Sequence, residues 1–280
     1  MMDICIYGNP TIDLIYHDNR FMGMRYGGGV YYSSIPFIHR GFRVTVYGVY
    51  TPQLLAHPVV KFMVQRQFSS TANVFELSYH GDERSLLVLE RAPSLYPWNM
   101  HEHLCYVVIN PVLGEIGVNM VKDLANRSTL IALDVQGFVR ETIGHRVVNS
   151  FNPEVLDALE YVDIVHMDLQ ELISLARGED TVGFMEKLTG KYREVLIVAT
   201  NRVDPILMAI NGRVRKLEVE RDIIVPDKTG AGDYFLGSLL YHLAITNDME
   251  EAVIKAHEDT SKWLYTRYMA LKASSQPATV

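Results

Sequence analysis

Near the C-terminal end of the 280-residue chain, the segment Asp227-Lys228-Thr229-Gly230-Ala231-Gly232-Asp233 sets small residues beside a carboxylate. Leu236, Leu239, Leu240 and Leu243 follow at i, i+3, i+4 and i+7, so the spacing predicts an amphipathic helix with Thr229 as its N-cap. The small residues leave the first-turn N–H groups uncovered, and these groups, with the positive end of the helix dipole, stabilise developing negative charge. A phosphoryl group in transfer carries such charge on its equatorial oxygens. Gly230, Ala231 and Gly232 are therefore the expected anion hole, and Asp233 the expected base for an attacking hydroxyl. The same spacing also reads as a tight turn followed by a first-turn acid that complements the dipole, and a short glycine motif leaves both readings open.

Other polar residues follow apolar runs. Asp13 offers two acceptor oxygens to the hydroxyls of a polyol, or is a turn aspartate. Gly28 and Gly29 admit close backbone approach by a substrate, or simply lead into the helix of Tyr31-Tyr32-Ser33-Ser34. In Asp134-Val135-Gln136-Gly137-Phe138-Val139-Arg140, Gln136 suits hydroxyls and Arg140 suits a carboxylate or phosphate, with a surface loop as the alternative for Arg140. Asp168 and Glu171 are three apart and share a helical face, as acids near magnesium do and as exposed acid pairs do. His101-Glu102-His103 lacks the spacing of a zinc motif and reads as loop. Cys5 and Cys105 each lie in an apolar run and outside any CxxC pair, so both are expected to be free, buried thiols in a reducing compartment.

These residues need a scaffold that gathers them. Ile4–Tyr7, Val44–Tyr47, Tyr106–Ile109, Leu130–Leu133, Ile164–Val165 and Leu196–Ala199 are apolar throughout and end in Gly, Asn, Asp, His or Thr. Such runs suit strands covered on both faces. Helical stretches near 30–40, 114–126, 153–161, 169–177 and 181–190 separate them, and from 229 the chain reads as helix almost to its end, a second helix starting near Met249. The pattern predicts a three-layer α/β/α sandwich on a mostly parallel sheet, with ligands at the carboxyl ends of its strands. Residues 12–27 and 73–91 carry strand-like segments without helices and predict a small antiparallel β lid. Residues 1–280 read as one domain, with a frayed tail around Ser274-Ser275-Gln276-Pro277.

Composition narrows the function classes. A formal net charge of −7, from 26 Lys and Arg against 33 Asp and Glu, speaks against a nucleic-acid surface. The start Met1-Met2-Asp3 has no basic and apolar leader, and no segment approaches a membrane span, so a cytoplasmic protein is expected.

Asp227-x-Thr229-Gly230-Ala231-Gly232-Asp233-x-Phe235-x-Gly237 resembles the C-terminal signature of the PfkB (ribokinase-like) carbohydrate kinases. Gly8-Asn9-Pro10-Thr11-Ile12-Asp13 is similar to that family's first strand and substrate aspartate, Gly27-Gly28-Gly29 with Gly41-Phe42 to its N-terminal signature, and Gly81-Asp82-Glu83-Arg84 to its lid hairpin. The resemblance runs over nearly the whole chain. It implies an ATP-dependent kinase that uses magnesium (Mg2+), with Asp233 as base and Gly230, Ala231 and Gly232 as the hole. It further implies Asn9, Asp13, Gly28, Gly29, Ser33, Gln136 and Arg140 on the substrate, Thr200, Lys228 and Thr229 on the nucleotide, and Asp168 and Glu171 near magnesium through water. The lid offers a route to a homodimer.

Several positions depart from the family pattern. In Thr200-Asn201-Arg202-Val203-Asp204-Pro205, Arg202 and Pro205 stand where the family has glycines on the nucleotide side, and Asp168 stands in place of an Asn. Ser33 stands where ribose kinases use Asn, and the segment Asp134–Arg140 resembles inositol-kinase-like members, which points to a cyclitol such as myo-inositol or another polyol. The rivals are a nucleoside or sugar-acid kinase of the same fold, and a non-catalytic sensor of a sugar or nucleotide. A dinucleotide-dependent oxidoreductase lacks its third glycine and following strand, and no Walker motif occurs.

Overall fold

The computed structural model describes residues 2–81, 83–201, 205–219, 225 and 227–274. In chain order the elements begin with β1 (Asp3–Tyr7), β2 (Thr11–His17), β3 (Arg20–Gly27), α1 (Gly29–His39), β4 (Arg43–Tyr47), β5 (Asn73–His80), β6 (Glu83–Glu90) and β7 (Cys105–Ile109). They continue with α2 (Val118–Ala125), β8 (Ser128–Asp134), α3 (Gln136–Val139), β9 (Arg140–Ile143), β10 (Arg146–Asn149), α4 (Glu154–Ala158), β11 (Ile164–Asp168) and α5 (Leu169–Ala176). The last are α6 (Thr181–Lys191), β12 (Leu196–Thr200), β13 (Ile206–Ile210), β14 (Arg213–Leu217), α7 (Ala231–Thr246) and α8 (Met249–Ser274).

The apolar runs form strands for the expected reason. In β1, Ile4 and Ile6 pack with Val30, Phe37, Leu236 and Leu239, whereas Cys5 and Tyr7 pack with Met120, Leu124 and Leu133. Successive side chains face opposite layers, and both layers are apolar. The same division holds in β12, where Leu196 and Val198 face the α1 and α7 layer while Ile197 and Ala199 face the other. The main sheet has the order β14-β13-β12-β11-β8-β7-β1-β4, parallel from β12 to β4 with β13 and β14 antiparallel at one edge. This is the expected three-layer α/β sandwich.

The lid is a second sheet in the order β3-β2-β5-β6-β10-β9. Its pairs are antiparallel except β2 with β5, which runs parallel. The expected segments 12–27 and 73–91 supply four of its strands, and the hairpin β9–β10 was not anticipated. The hairpin β13–β14, with Asn211 and Gly212 both at positive φ, was likewise not anticipated.

Cys5 and Cys105 correct an expectation. They sit on adjacent parallel strands with Cα atoms 6.2 Å apart and are joined as a disulfide, so neither is a free thiol. Their sulfurs and a ring nitrogen of buried His101 lie within 4.8 Å of one another. Both His101 nitrogens are engaged, by the Tyr7 hydroxyl at 2.6 Å and the Arg127 carbonyl at 3.0 Å. No described helix is long and apolar enough to cross a membrane.

Candidate active site

The turn before α7 is built on Gly230, which adopts φ 81° and serves as N-cap without a side-chain cap. Any Cβ here would fall 2.3 Å from the Tyr32 ring, so both the left-handed backbone and the close ring demand glycine. Thr229 is therefore not the N-cap as expected. Its backbone N–H donates to Asp227 Oδ1 at 2.9 Å and its carbonyl accepts from Arg267 Nη1 at 2.7 Å. Burial alone would raise the Asp227 carboxyl, but the Thr229 donors and then the Arg267 and Arg25 guanidinium groups hold it below its ordinary value. Arg25 reaches Asp227 from the lid strand β3 as an ion pair.

The Ala231 N–H turns back to the Lys228 carbonyl at 3.0 Å. Of the three expected donors, Ala231 is therefore already engaged, whereas the first-turn N–H groups of Gly232 and Asp233 have no intrahelical acceptor and carry the positive end of α7. A Cβ on Gly232 would lie 2.8 Å from His166 Cε1, so that ring lies directly against the turn that opens α7. Gly237 admits the equally close approach of the Ser33 carbonyl on α1.

Asp233 is the third residue of α7. Gln136 Nε2 donates to Asp233 Oδ1 at 2.9 Å and to Asn110 Oδ1 at 2.9 Å. Burial pushes the Asp233 carboxyl up to about 6, with the Asp134 carboxylate adding to the rise, against the pull of the Asn110 amide, Arg140 and His166. Asn110, at the end of β7, is fully buried and was not singled out in the sequence as a site residue; its Nδ2 stops short of hydrogen-bond geometry with any described group. Its signal was a lone amide closing an apolar run. Arg140 partly opposes the rise of both the Asp233 and Glu171 carboxyls, and it donates to the Val112 carbonyl at 3.3 Å.

Asp13 lies on β2, buried, and accepts from the Thr11 hydroxyl at 2.8 Å. It shares the surroundings of Tyr32 with Asp227 and Asp233: burial and then Asp13 push the Tyr32 phenol up, Arg267 opposes them, and Asp227 and Asp233 add to the rise. Gly28 is the N-cap of α1, and a Cβ on Gly29 would fall 2.1 Å from Asn110 Oδ1, so the glycine loop abuts the amide pair beside Asp233. Two further expected substrate residues have hydrogen-bond partners within the chain. Asn9 braces the loops, accepting from Val49 N at 2.9 Å and donating to the Pro93 carbonyl at 3.3 Å, while its N–H is held by Glu115 at 3.0 Å. Ser33 is fully buried in α1 and donates to the Gly29 carbonyl at 2.7 Å, so its hydroxyl is spent within the helix.

On the far side of Gly232, side chains from three adjacent strands form a hydrogen-bonded row. His166 Nδ1 lies 2.8 Å from Asp134 Oδ2, and His166 Nε2 lies 3.0 Å from Thr200 Oγ1. Of the degenerate segment beyond Thr200, residues 202–204 lie outside the described residues. Lys228 sits in the turn, partly exposed. Asp168 and Glu171 form a reciprocal capping box on α5: Asp168 Oδ1 accepts from Glu171 N and Glu171 Oε2 from Asp168 N, each at 2.8 Å. One oxygen of each acid carries no hydrogen bond among the described residues. Burial, then the Asp134 and Asp168 carboxylates, push Glu171 well up, so the pair fits a divalent cation that would relieve this crowding.

No family model matches the chain. A fructokinase of Klebsiella pneumoniae is 29% identical over 87 residues, which span 31% of this chain and 28% of that protein. A pyrophosphate-dependent kinase in the ribokinase family, in a sulfate complex, superposes with a TM-score of 0.82 at 20% identity, covering 94% of this chain and 95% of that one. A pyrophosphate-dependent kinase of that family complexed with a pyrophosphate analogue and myo-inositol gives 0.80 at 20% identity over 94% and 95%. Ribokinase from Thermotoga maritima gives 0.69 at 13% identity over 94% and 93%. The chain has the ribokinase-like fold, as its glycine and aspartate motifs led us to expect. Its structural relatives with TM-scores near 0.8 include pyrophosphate-dependent kinases.

Proposed function

We propose that the chain transfers a phosphoryl group from a phosphoanhydride to a hydroxyl of a cyclitol or related polyol, with Asp233 as base. The observation that carries this reading is Asp233 itself: a carboxyl raised to about 6, beside the uncovered N–H groups of α7 and hydrogen-bonded to Gln136. A base with that value is ionised at neutral pH and still basic enough to take a proton in the transition state. Gln136 occupies Oδ1, and Oδ2 receives the hydroxyl proton as the oxygen attacks phosphorus and the anhydride P–O bond breaks. The N–H groups of Gly232 and Asp233 stabilise the charge on the phosphoryl oxygens. Asp13, Asn110 and Arg140 orient the acceptor, and the glycine loop of Gly28 and Gly29 closes on it.

For the donor we read inorganic pyrophosphate in preference to the ATP implied by the motif. Support comes from the pyrophosphate-dependent relatives and from Arg202 and Pro205, which replace nucleotide-side glycines. Magnesium bound through Asp168 and Glu171 would supply charge neutralisation for either donor. The intact base and hole speak against a non-catalytic sensor. Phe21, Met22 and Met24, about half exposed on the edge strand β3, support self-association of two copies through the lid.

The test is a panel of acceptors (myo-inositol and other cyclitols, ribose, fructose, sugar acids, nucleosides) against magnesium pyrophosphate and magnesium ATP, with phosphate esters read by 31P NMR. Ester formation from pyrophosphate on a cyclitol is expected. Preference for ATP would overturn the donor assignment, and no ester from any pair would overturn the whole reading.

A further inference from the structure

We propose that His166 is a positioning residue for the phosphoryl donor, holding the Thr200 hydroxyl and the floor of the anion hole in one fixed relation. The proposal rests on the phosphotransfer reading given above.

His166 is buried in the middle of β11, in register with Asp134 on β8 and Val198 on β12. Its ring is fixed on three sides. Asp134 Oδ2 holds Nδ1 at 2.8 Å, Thr200 Oγ1 meets Nε2 at 3.0 Å, and the Gly232 backbone lies against Cε1. The Phe235 ring covers it with centroids 5.3 Å apart. Asp134 is itself oriented, because its Oδ1 accepts from the Gln136 N–H at 2.9 Å. A continuous path thus runs from Asp233 through Gln136, Asp134 and His166 to Thr200, passing beneath Gly232.

The direction of that path argues for the donor. Phosphoryl transfer requires attacking and leaving oxygens roughly in line across the phosphorus. Asp13 on the lid strand β2 and Asn110 beyond β7 lie on one side, and the Gln136 side chain, beyond β8, turns toward Asn110, so the acceptor enters from that side. In the strand order the opposite side is β11 and β12, where His166 and Thr200 stand. The leaving phosphate therefore meets Thr200, and the hydroxyl can serve it only if its rotamer is fixed. A free threonine hydroxyl rotates, and His166 removes that freedom before the donor binds.

Two replacements separate the arms of the ring. Asparagine at 166 keeps an amide where Nδ1 meets Asp134 but stops short of Thr200. Glutamine reaches Thr200 with a donor and an acceptor, restoring the bond in either polarity. Binding of magnesium pyrophosphate, and separately of magnesium ATP, is measured by calorimetry without acceptor, for wild type, H166N, H166Q, T200A and H166N/T200A. We expect H166N and T200A each to weaken donor binding about tenfold, the double variant to lose no more than either, and H166Q to recover most of it. Where turnover is seen, KM for the donor rises while KM for the acceptor stays within about twofold.

Unchanged donor binding in H166N, or additive losses in the double variant, would overturn the proposal. A parallel loss of acceptor and donor binding in both H166N and H166Q, with a lower Tm, would reduce His166 to a structural role and overturn it as well. Wild type that binds pyrophosphate yet forms no ester would remove the kinase reading while the His166 comparison still decides this one. Wild type that binds neither donor would end both.

Discussion

Gln136 Nε2 donates to Asp233 Oδ1 at 2.9 Å, and the same nitrogen reaches Asn110 Oδ1 at 2.9 Å. One amide thus orients both the Asp233 carboxylate, our proposed base, and the neighbouring Asn110 amide. A hydrogen bond to the ionised form of a carboxylate favours that form, and one to a charged group contributes about 1.5–3 kcal/mol. Gln136→Leu should lower kcat at least about tenfold and move the acid limb of the kcat/KM profile to higher pH. A profile unchanged in position would show that Gln136 does not act on the base.

The pH dependence follows from the raised carboxyl of Asp233. Transfer requires its ionised form, so kcat/KM should fall as pH drops through about 6, losing tenfold per unit below that. The sign for stability is opposite. A carboxyl whose folded value lies above its unfolded value destabilises the fold once pH exceeds the unfolded value near 4, and the penalty is complete above about 6. Asp233→Asn should therefore be more stable than wild type at pH 8, by on the order of 2 kcal/mol, with the difference vanishing below pH about 4. Denaturant titrations at the two pH values check this, and equal stability at pH 8 would contradict the buried, crowded carboxylate.

Gly230 carries both a positive φ of 81° and the Tyr32 ring at the place of a Cβ. Gly230→Ala should cost about 2–4 kcal/mol and abolish transfer, because the turn that aims the hole cannot form. Urea denaturation reads the loss. Gly41, with φ 76° but nothing within 4 Å of a Cβ, is the control and should lose about 1 kcal/mol as Ala.

Arg25 on the lid pairs with Asp227, its side chain nearly half exposed. A pair so placed is worth at most about 1 kcal/mol to stability. Its value is positional, because it ties the lid to the turn that leads into the hole. Arg25→Ala should leave Tm nearly unchanged and raise the acceptor KM severalfold, as steady-state kinetics at fixed donor would show. A KM equal to that of wild type would remove the tie from the account of substrate closure.

Much of the fold was legible because it rests on patterns that repeat. Short runs apolar on both faces, as in Ile4–Tyr7 and Leu196–Ala199, bounded by polar and glycine residues, fit strands covered twice, and their polar ends lie at the candidate site. The missed elements carry weaker patterns. β14 is Arg213-Val-Arg-Lys-Leu, largely exposed, though Asn211-Gly212 is a strong hairpin signal between two strands. Within the site, Asp233, Gln136 and Arg140 were legible from residue type and spacing. His166 and Asn110 were not, because each looks like a polar terminator until the sheet order sets it beside its partners. For Ser33 and Asn9 the sequence could not show that their side chains also hydrogen-bond to the helix and loops around them. The Cys5–Cys105 bond joins residues 100 apart that become neighbours only when β1 lies beside β7.

The central claim is that Asp233 is the base of a phosphoryl transfer, and single-turnover formation of the phosphate ester by wild type and Asp233→Asn tests it most directly. With donor and acceptor both saturating, the variant should bind each about as tightly as wild type and form ester about 10²–10⁴-fold more slowly. Ester formation at the wild-type rate by Asp233→Asn would contradict the assignment.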